Sequence, residues 1–262
     1  MSMLVQNMQY IKKRIAQGER LDGRGFLEFR DITVENGIIS KAEASARVHI
    51  GKTDVVVGVK IDTGTPFPDS PDDGIIMCGA EFSSIASPDF ENGPPGIDSI
   101  ELSRVIDRGI RESHLISTEK LCITPGEKVW MVFIDIHILN DAGNLLDAAG
   151  LAALIALKNA KMPKYDSKTE CVIHDESDGN LPLSDVSPVP VTLYKINGEF
   201  LLDPSWEEKA VSDCQITVTT TKDGNITAMQ KSESGTMSDK EVMKAIDLSV
   251  KEGAKLRKKL KL

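Results

Sequence analysis

Arginine is missing from more than half of this chain: none of its nine arginines lies between residues 112 and 256. Five precede residue 48, three form the set Arg104, Arg108 and Arg111, and the last is Arg257. Coating nucleic acid over a whole surface requires clustered cations. This distribution and a formal net charge of −9 exclude that class and leave only local patches. The four cysteines, Cys78, Cys122, Cys171 and Cys214, are far apart in apolar runs, with no CxxC or zinc spacing, and read as reduced core residues. His49, His114, His137 and His174 show no HxxxH or His–carboxylate spacing, and there is no Gly-x-Ser-x-Gly elbow, so no nucleophile has a visible base. No apolar run reaches membrane length without a polar interruption, and residues 1–13 lack a signal-peptide core. The expectation is a soluble, cytoplasmic protein. Aromatics are lean at 5%, but 40% hydrophobic and 27% charged residues are ordinary for a folded chain of 262 residues with ample area for a core.

The longest apolar stretch runs from Val129 to Ala160 and reads as strand, tight turn and helix. Val129–Leu139 is β-branched and aromatic with both faces mostly apolar, which places it inside a sheet. Asn140–Asn144 supplies turn residues, and Leu145–Lys158 carries Ala and Leu on all sides, the pattern of a helix buried nearly all round. A helix N-terminus after a strand is a common phosphate site. This one offers Asn144, Leu145, Leu146 and Asp147: the leucines add no donors, and the Asp147 carboxylate would cap the helix and repel an anion.

Around that core, Leu4, Met8, Ile11 and Ile15 predict an amphipathic N-terminal helix ending at Gly18. Asn36-Gly37 predicts a hairpin, and Ala42, Ala44, Ala46, Val48 and Ile50 a strand with an unusually small inner face. Strands at 54–62 and 75–82 flank a Pro- and Asp-rich loop, and a second irregular loop spans 87–96. Asp98 or Ser99 would cap the next helix, with Leu102, Ile106 and Ile110 inward. Pro163 closes the buried helix. Strands come next at 189–196, 199–203, 214–220 and 226–231, then a helix opened by the capping box Ser238–Glu241, with Val242, Ile246, Val250 and Leu256 as its buried stripe. Residues 30–115 and 189–260 share one order, antiparallel strands and then a helix. The expected fold is α+β: a single domain, 1–262, of two similar halves, about 1–160 and 161–262, around a central layer of buried helices.

Arg104, Arg108 and Arg111 lie at i, i+4 and i+7, a stripe about 10 Å long that matches two successive phosphates of an extended single strand. From the pattern alone the same residues read more readily as a solvated face with ion pairs Asp107–Arg111 and Arg108–Glu112. Asp69, Asp72 and Asp73, or Asp175, Glu176 and Asp178, are oxygen-rich, but the latter lacks calcium-loop spacing, and both read as solvated turns rather than metal sites. A metal-dependent small-molecule enzyme using these loops remains an alternative. No cofactor is expected.

Several stretches together resemble the RNase PH-like family, and within it the non-catalytic ring subunits of archaeal exosomes. They are Arg20-Leu21-Asp22-Gly23-Arg24 with Arg30-Asp31-Ile32, Gly51-Lys52-Thr53, Glu101–Arg108, Asp141–Ala149, Asp203-Pro204 and Val211-Ser212-Asp213. The resemblance covers nearly the whole chain. It implies an RNase PH-like fold in which active members hold the attacking phosphate with hydroxyls and an Arg, where this chain has Leu145 and Leu146. It also implies a catalytic Asp before a hydrophobic-Pro-Val segment. Neither Val186–Val189 nor Pro188–Val191 places one there, although Asp185 lies one residue away. The resemblance therefore implies a subunit without phosphorolysis, paired with a homologous catalytic subunit in a trimer of heterodimers. That hexameric ring is capped by RNA-binding proteins and shortens single-stranded RNA from its 3′ end, with Arg104, Arg108 and Arg111 gripping RNA. An active phosphate-dependent 3′→5′ exoribonuclease using Asp185 is the alternative.

Overall fold

The computed structural model of the chain describes residues 2–91 and 93–262; Asn92, in the expected 87–96 loop, and the Leu4 side chain lie outside the described part. Helix α1 (Ser2–Ala16) leads into strands β1 (Ile32–Asn36), β2 (Ala44–Ile50), β3 (Thr53–Gly64) and β4 (Ile75–Phe82), followed by helix α2 (Ile97–Arg111). Then come β5 (Cys122–Thr124), β6 (Lys128–Asn140), helix α3 (Leu145–Asn159) and the pair β7 (Lys161–Asp166) and β8 (Cys171–Asn180). The chain ends with β9 (Val189–Ile196), β10 (Glu199–Leu202), the short helix α4 (Trp206–Lys209), β11 (Cys214–Thr220), β12 (Ile226–Ser232) and helix α5 (Asp239–Leu260).

The first sheet has the order β1-β2-β3-β6-β4, with β5 also on β6, and the second β10-β9-β11-β12. β6 is an interior strand, antiparallel to β3 and parallel to β4. Its Trp130, Val132, Ile134, Ile136 and Ile138 face the core, all fully or nearly buried. The opposite face is not a second core, as the sequence suggested: Met131, Phe133 and His137 are half-buried and Asp135 is exposed. His137 therefore sits on a surface, 3.4 Å from Glu81.

Helix α3 occupies the middle of the molecule, and every residue from Leu145 to Leu157 is buried. It packs on β2 and β3 on one side and on β9 on the other, which is why β2 turns the small Ala44 and Ala46 inward. At Gly150 the contact with β9 is so close that a Cβ would overlap the Pro190 ring. β9 is buried on both faces because α5 covers the side away from α3. The layers run sheet, helices, sheet, helix.

Local details differ from the sequence reading for identifiable reasons. Gly37 does adopt a positive φ of 69°, but the link from β1 to β2 runs through residues 37–43, because the Ile39 N–H bonds the Ser45 hydroxyl and the Ile39 side chain packs over Gly58. Helix α2 begins earlier, with Gly96 as N-cap; Ser99 instead donates to the Gly96 carbonyl. Pro163 lies within β7, and Asp175, Glu176 and Asp178 lie on the exposed strand β8 rather than in a turn. The buried face of α5 is Ala245, Ser249, Glu252, Gly253 and Leu256, with Val242, Ile246 and Val250 at its margins, since small residues let it approach β11. All four cysteines are free, Cys214 buried and Cys171 exposed.

Candidate functional site

The turn that opens α3 is built from groups far apart in sequence. Asn144 takes the left-handed conformation (φ 61°, ψ 45°) and is the N-cap, but its side chain does not bond the free N–H groups of the helix. Its Nδ2 instead donates to Asp147 Oδ2 and Asp203 Oδ1, both at 3.1 Å. Asp147 is therefore not the expected cap. It is fully buried, accepts from Thr192 Oγ1 at 2.8 Å, and its carboxyl is pushed up to about 7 by burial, against the Thr192 and Asn144 hydrogen bonds. The preceding Gly143 (φ 96°) has no room for a Cβ against the Pro204 carbonyl.

Asp203, with no exposed surface, is the hub of this region. It accepts from the Arg30 backbone N–H and Nε at 2.8 Å each, from Arg30 Nη2 at 2.6 Å and from Arg24 Nη1 at 3.1 Å. Arg30 also donates to the Ala142 and Gly143 carbonyls. Arg20 meets Glu208 through two hydrogen bonds, 3.0 and 2.6 Å, and donates to the Leu202 and Asp203 carbonyls. Glu208 at the same time closes a capping box with Ser205 on α4. The three arginines after α1 thus tie the N-terminal segment to β10, α4 and the head of α3. None of them is available to an anion.

Outside that turn lies a pocket of about 210 Å³. Leu145 and Leu146 form one wall, the Phe82–Phe90 pair (centroids 4.7 Å apart) another, and Asp98, Glu101 and Glu233 contribute carboxylates against a single cation, Lys209. A phosphate at this helix end would meet three carboxylates. No local pattern announces the acidic wall, because Asp98 and Glu233 come from elements 135 residues apart and only the packing of β12 beside α2 brings them together.

Along α2, Arg104, Arg108 and Arg111 are all exposed on one stripe while Leu102, Val105, Ile106 and Ile110 are buried. Arg111 pairs with Asp107 at 2.7 Å and donates to the Ile76 carbonyl at 2.9 Å. Arg104 lies 3.6 Å from the same carboxylate, with 69% of its side chain exposed. Arg108 bonds Gln230 Oε1 at 2.8 Å rather than Glu112. Two of the three guanidinium groups share one buried carboxylate and the third bonds a neutral amide, leaving a net positive strip.

The other candidates disperse. Among the described residues no group of three His, Cys, Asp or Glu is placed to hold a metal ion. Asp73 accepts from Thr118 at 3.0 Å and Glu176 pairs with Lys164 at 2.7 Å. Asp185 has 87% of its side chain exposed, pairs with Lys222, and does not line the pocket at α3. Some His–carboxylate contacts escape sequence spacing, among them His174 Nδ1, 2.8 Å from Glu43 Oε1, and His137 Nδ1, 3.4 Å from Glu81. Among the described residues no helix is long and apolar enough to cross a membrane.

Comparison with known proteins matches the profile of the 3′ exoribonuclease family, domain 1 (RNase PH), to residues 28–163, and that of domain 2 to residues 187–252. The chain is similar to the exosome complex component Rrp42 of Methanocella arvoryzae, 52% identical over 251 residues, covering 96% of this chain and 94% of that protein. It is also similar to the component of the same name from Thermococcus onnurineus, 48% identical over 96% of this chain and 93% of the relative. A chain in the structure of the Archaeoglobus fulgidus exosome with RNA bound to the active site superimposes with a TM-score of 0.91 at 46% identity, covering 99% of this chain and 100% of that one.

Proposed function

Because the chain belongs to the 3′ exoribonuclease (RNase PH) family, we propose that it is a non-catalytic exosome ring subunit that binds single-stranded RNA beside a homologous catalytic partner. The observation that carries this reading is the α3 terminus. Two leucines, an aromatic pair and three carboxylates stand where a phosphorolytic enzyme needs cationic and hydroxyl groups around its attacking phosphate. The exposure of Asp185 and its pairing with Lys222 argue against an independent enzyme. Assembly is supported by the outer face of the first sheet, where Met77 is 46% exposed beside the half-buried Phe133. The remaining partners in this reading are RNA-binding cap proteins, in a hexameric, cytoplasmic ring.

The purified chain alone should release no nucleoside diphosphates from poly(A) in phosphate buffer, and adding the catalytic partner should restore phosphorolysis. Robust turnover by the lone chain, free of contaminant, would overturn the assignment.

The arginine strip supplies the RNA contact. Its spacing suits successive phosphates, and the acidic exterior disfavours RNA elsewhere. Replacing Arg104, Arg108 and Arg111 together by Ala should reduce the slope of log K against log salt for RNA binding to the assembled ring by about 2, at roughly 0.7 per single-strand phosphate contact. An unchanged slope would reassign the strip to surface ion pairing.

A further inference from the structure

The pocket at the head of α3 has polar groups and charge of its own. Two of its polar side chains are nearly buried and lack partners. Tyr194 is 2% exposed and Gln215 8% exposed, they are direct cross-strand neighbours on β9 and β11, and both line the pocket. Neither the Tyr194 hydroxyl nor the Gln215 carboxamide has a hydrogen-bond partner among the described residues. Their side chains are nearly enclosed while their polar atoms open onto the pocket, so they are free to bond whatever fills it.

The chemistry of that occupant follows from the walls. Asp98, Glu101 and Glu233 against Lys209 leave two net negative charges, which outweigh the roughly half positive charge of the α3 terminus. The field at Tyr194 has the same sign: after burial, the groups that push its hydroxyl well above the usual phenol range are the carboxylates of Asp147, Asp141, Asp203 and Glu233. These carboxylates are too dispersed to close on a metal ion, but they can meet the separate N–H groups of a larger cation. The Phe82–Phe90 pair with Leu145, Leu146 and Leu102 offers apolar area for a methylene stem and aromatic rings for a cationic head.

We propose that this pocket binds an alkylguanidinium or alkylammonium cation, its head held by Asp98, Glu101 and Glu233 with Tyr194 and Gln215, and its stem lying on the leucines and phenylalanines. The inference rests on the proposed function in sharing the lining of the α3 terminus; failure of agmatine to bind leaves the ring assignment standing, whereas phosphate binding would count against both.

The test is calorimetric titration of the full chain with agmatine, with inorganic phosphate and neutral butyramide as controls. Saturable binding of one agmatine, and none of either control, is expected. Asp98→Asn with Glu101→Gln should weaken it at least about tenfold, as expected for loss of charge-assisted hydrogen bonds, and Tyr194→Phe by about fivefold, with thermal midpoints unchanged. Arg104→Ala should leave it as in the wild type. Nα-acetylarginine amide separates the sources: binding of both compounds admits an arginine side chain as occupant, and binding of agmatine alone marks a free cation. Absence of saturable heat, equal binding of butyramide, phosphate competition, or unaltered affinity in the carboxamide variant would overturn the proposal. The wild-type arms decide the matter even if a variant fails to fold.

Discussion

Asp203→Ala should lower the unfolding free energy by about 3–5 kcal/mol, the range for removing one partner of a buried ion pair. The carboxylate has no exposed surface and accepts from two arginines, a backbone N–H and the Asn144 amide. Deleting it strands the Arg30 guanidinium group, 14% exposed, without its counter-charge and leaves Arg24 with Asp22 alone. It also takes away the acceptor that holds the Asn144 side chain at the head of α3. A further cost is conformational: residue 203 has φ 45°, a left-handed geometry that Asp and Asn tolerate better than Ala. Asp203→Asn, which keeps the shape and the backbone preference but loses the charge, should fall between wild type and Ala. Urea unfolding with unchanged m-values measures both. A loss below about 1 kcal/mol for Ala would mean that the arginines find other partners and that the hub is not structural.

This hub shows what the sequence can and cannot reveal. The arginines at 20, 24 and 30 stand in charged, Gly-rich sequence that reads locally as exposed loop. Their partners, Glu208 and Asp203, lie more than 170 residues away. Periodicity reports which way a residue faces within its own element; it says nothing about which distant carboxylate will meet it. Helix α3 was legible because thirteen consecutive buried residues leave no polar face to misread. β8 was not, because its exposed run of Asp, Glu, Ser, Gly and Asn carries turn composition and is held as a strand only by pairing with β7.

The candidate sites divide along the same line. The arginine stripe on α2 follows from helical spacing alone, and the structure displays all three side chains on one exposed strip. Their immediate partners did not follow: Asp107 serves both Arg104 and Arg111, and Arg108 reaches to β12 for Gln230. The two leucines at the α3 terminus were legible as apolar side chains, and they line the pocket there. The acidic pocket above them is a product of three elements meeting and has no linear signature.

The second large effect concerns Asp147, whose carboxyl is raised to about 7 inside the protein by burial and titrates near 3.9 in an unfolded chain. Between those values the folded state holds a proton that the unfolded state has released. Stability should therefore fall as pH rises from about 4 to about 7 and level off beyond, by up to about 4 kcal/mol for a three-unit shift. The neighbourhood can take the proton: a protonated Asp147 donates to Thr192 Oγ1, which lies 2.9 Å from Thr217 Oγ1 and can donate onward to it. Glu241, held at about 2 chiefly by its hydrogen bond to Lys195, acts with the opposite sign. Its contribution is lost as pH falls from the usual Glu range toward 2, a window that barely meets the first. Asp147→Asn preserves the shape, presents an amide N–H to Thr192 and a carbonyl to Asn144, and cannot titrate. Its unfolding free energy should equal the wild type's below about pH 4 and exceed it increasingly from there to about pH 7, beyond which the difference is constant. Parallel profiles for the two proteins from pH 5 to 8 would show that Asp147 ionises in the folded protein as readily as in the unfolded one, and that the buried Asn144–Asp147–Thr192 cluster carries its charge without cost.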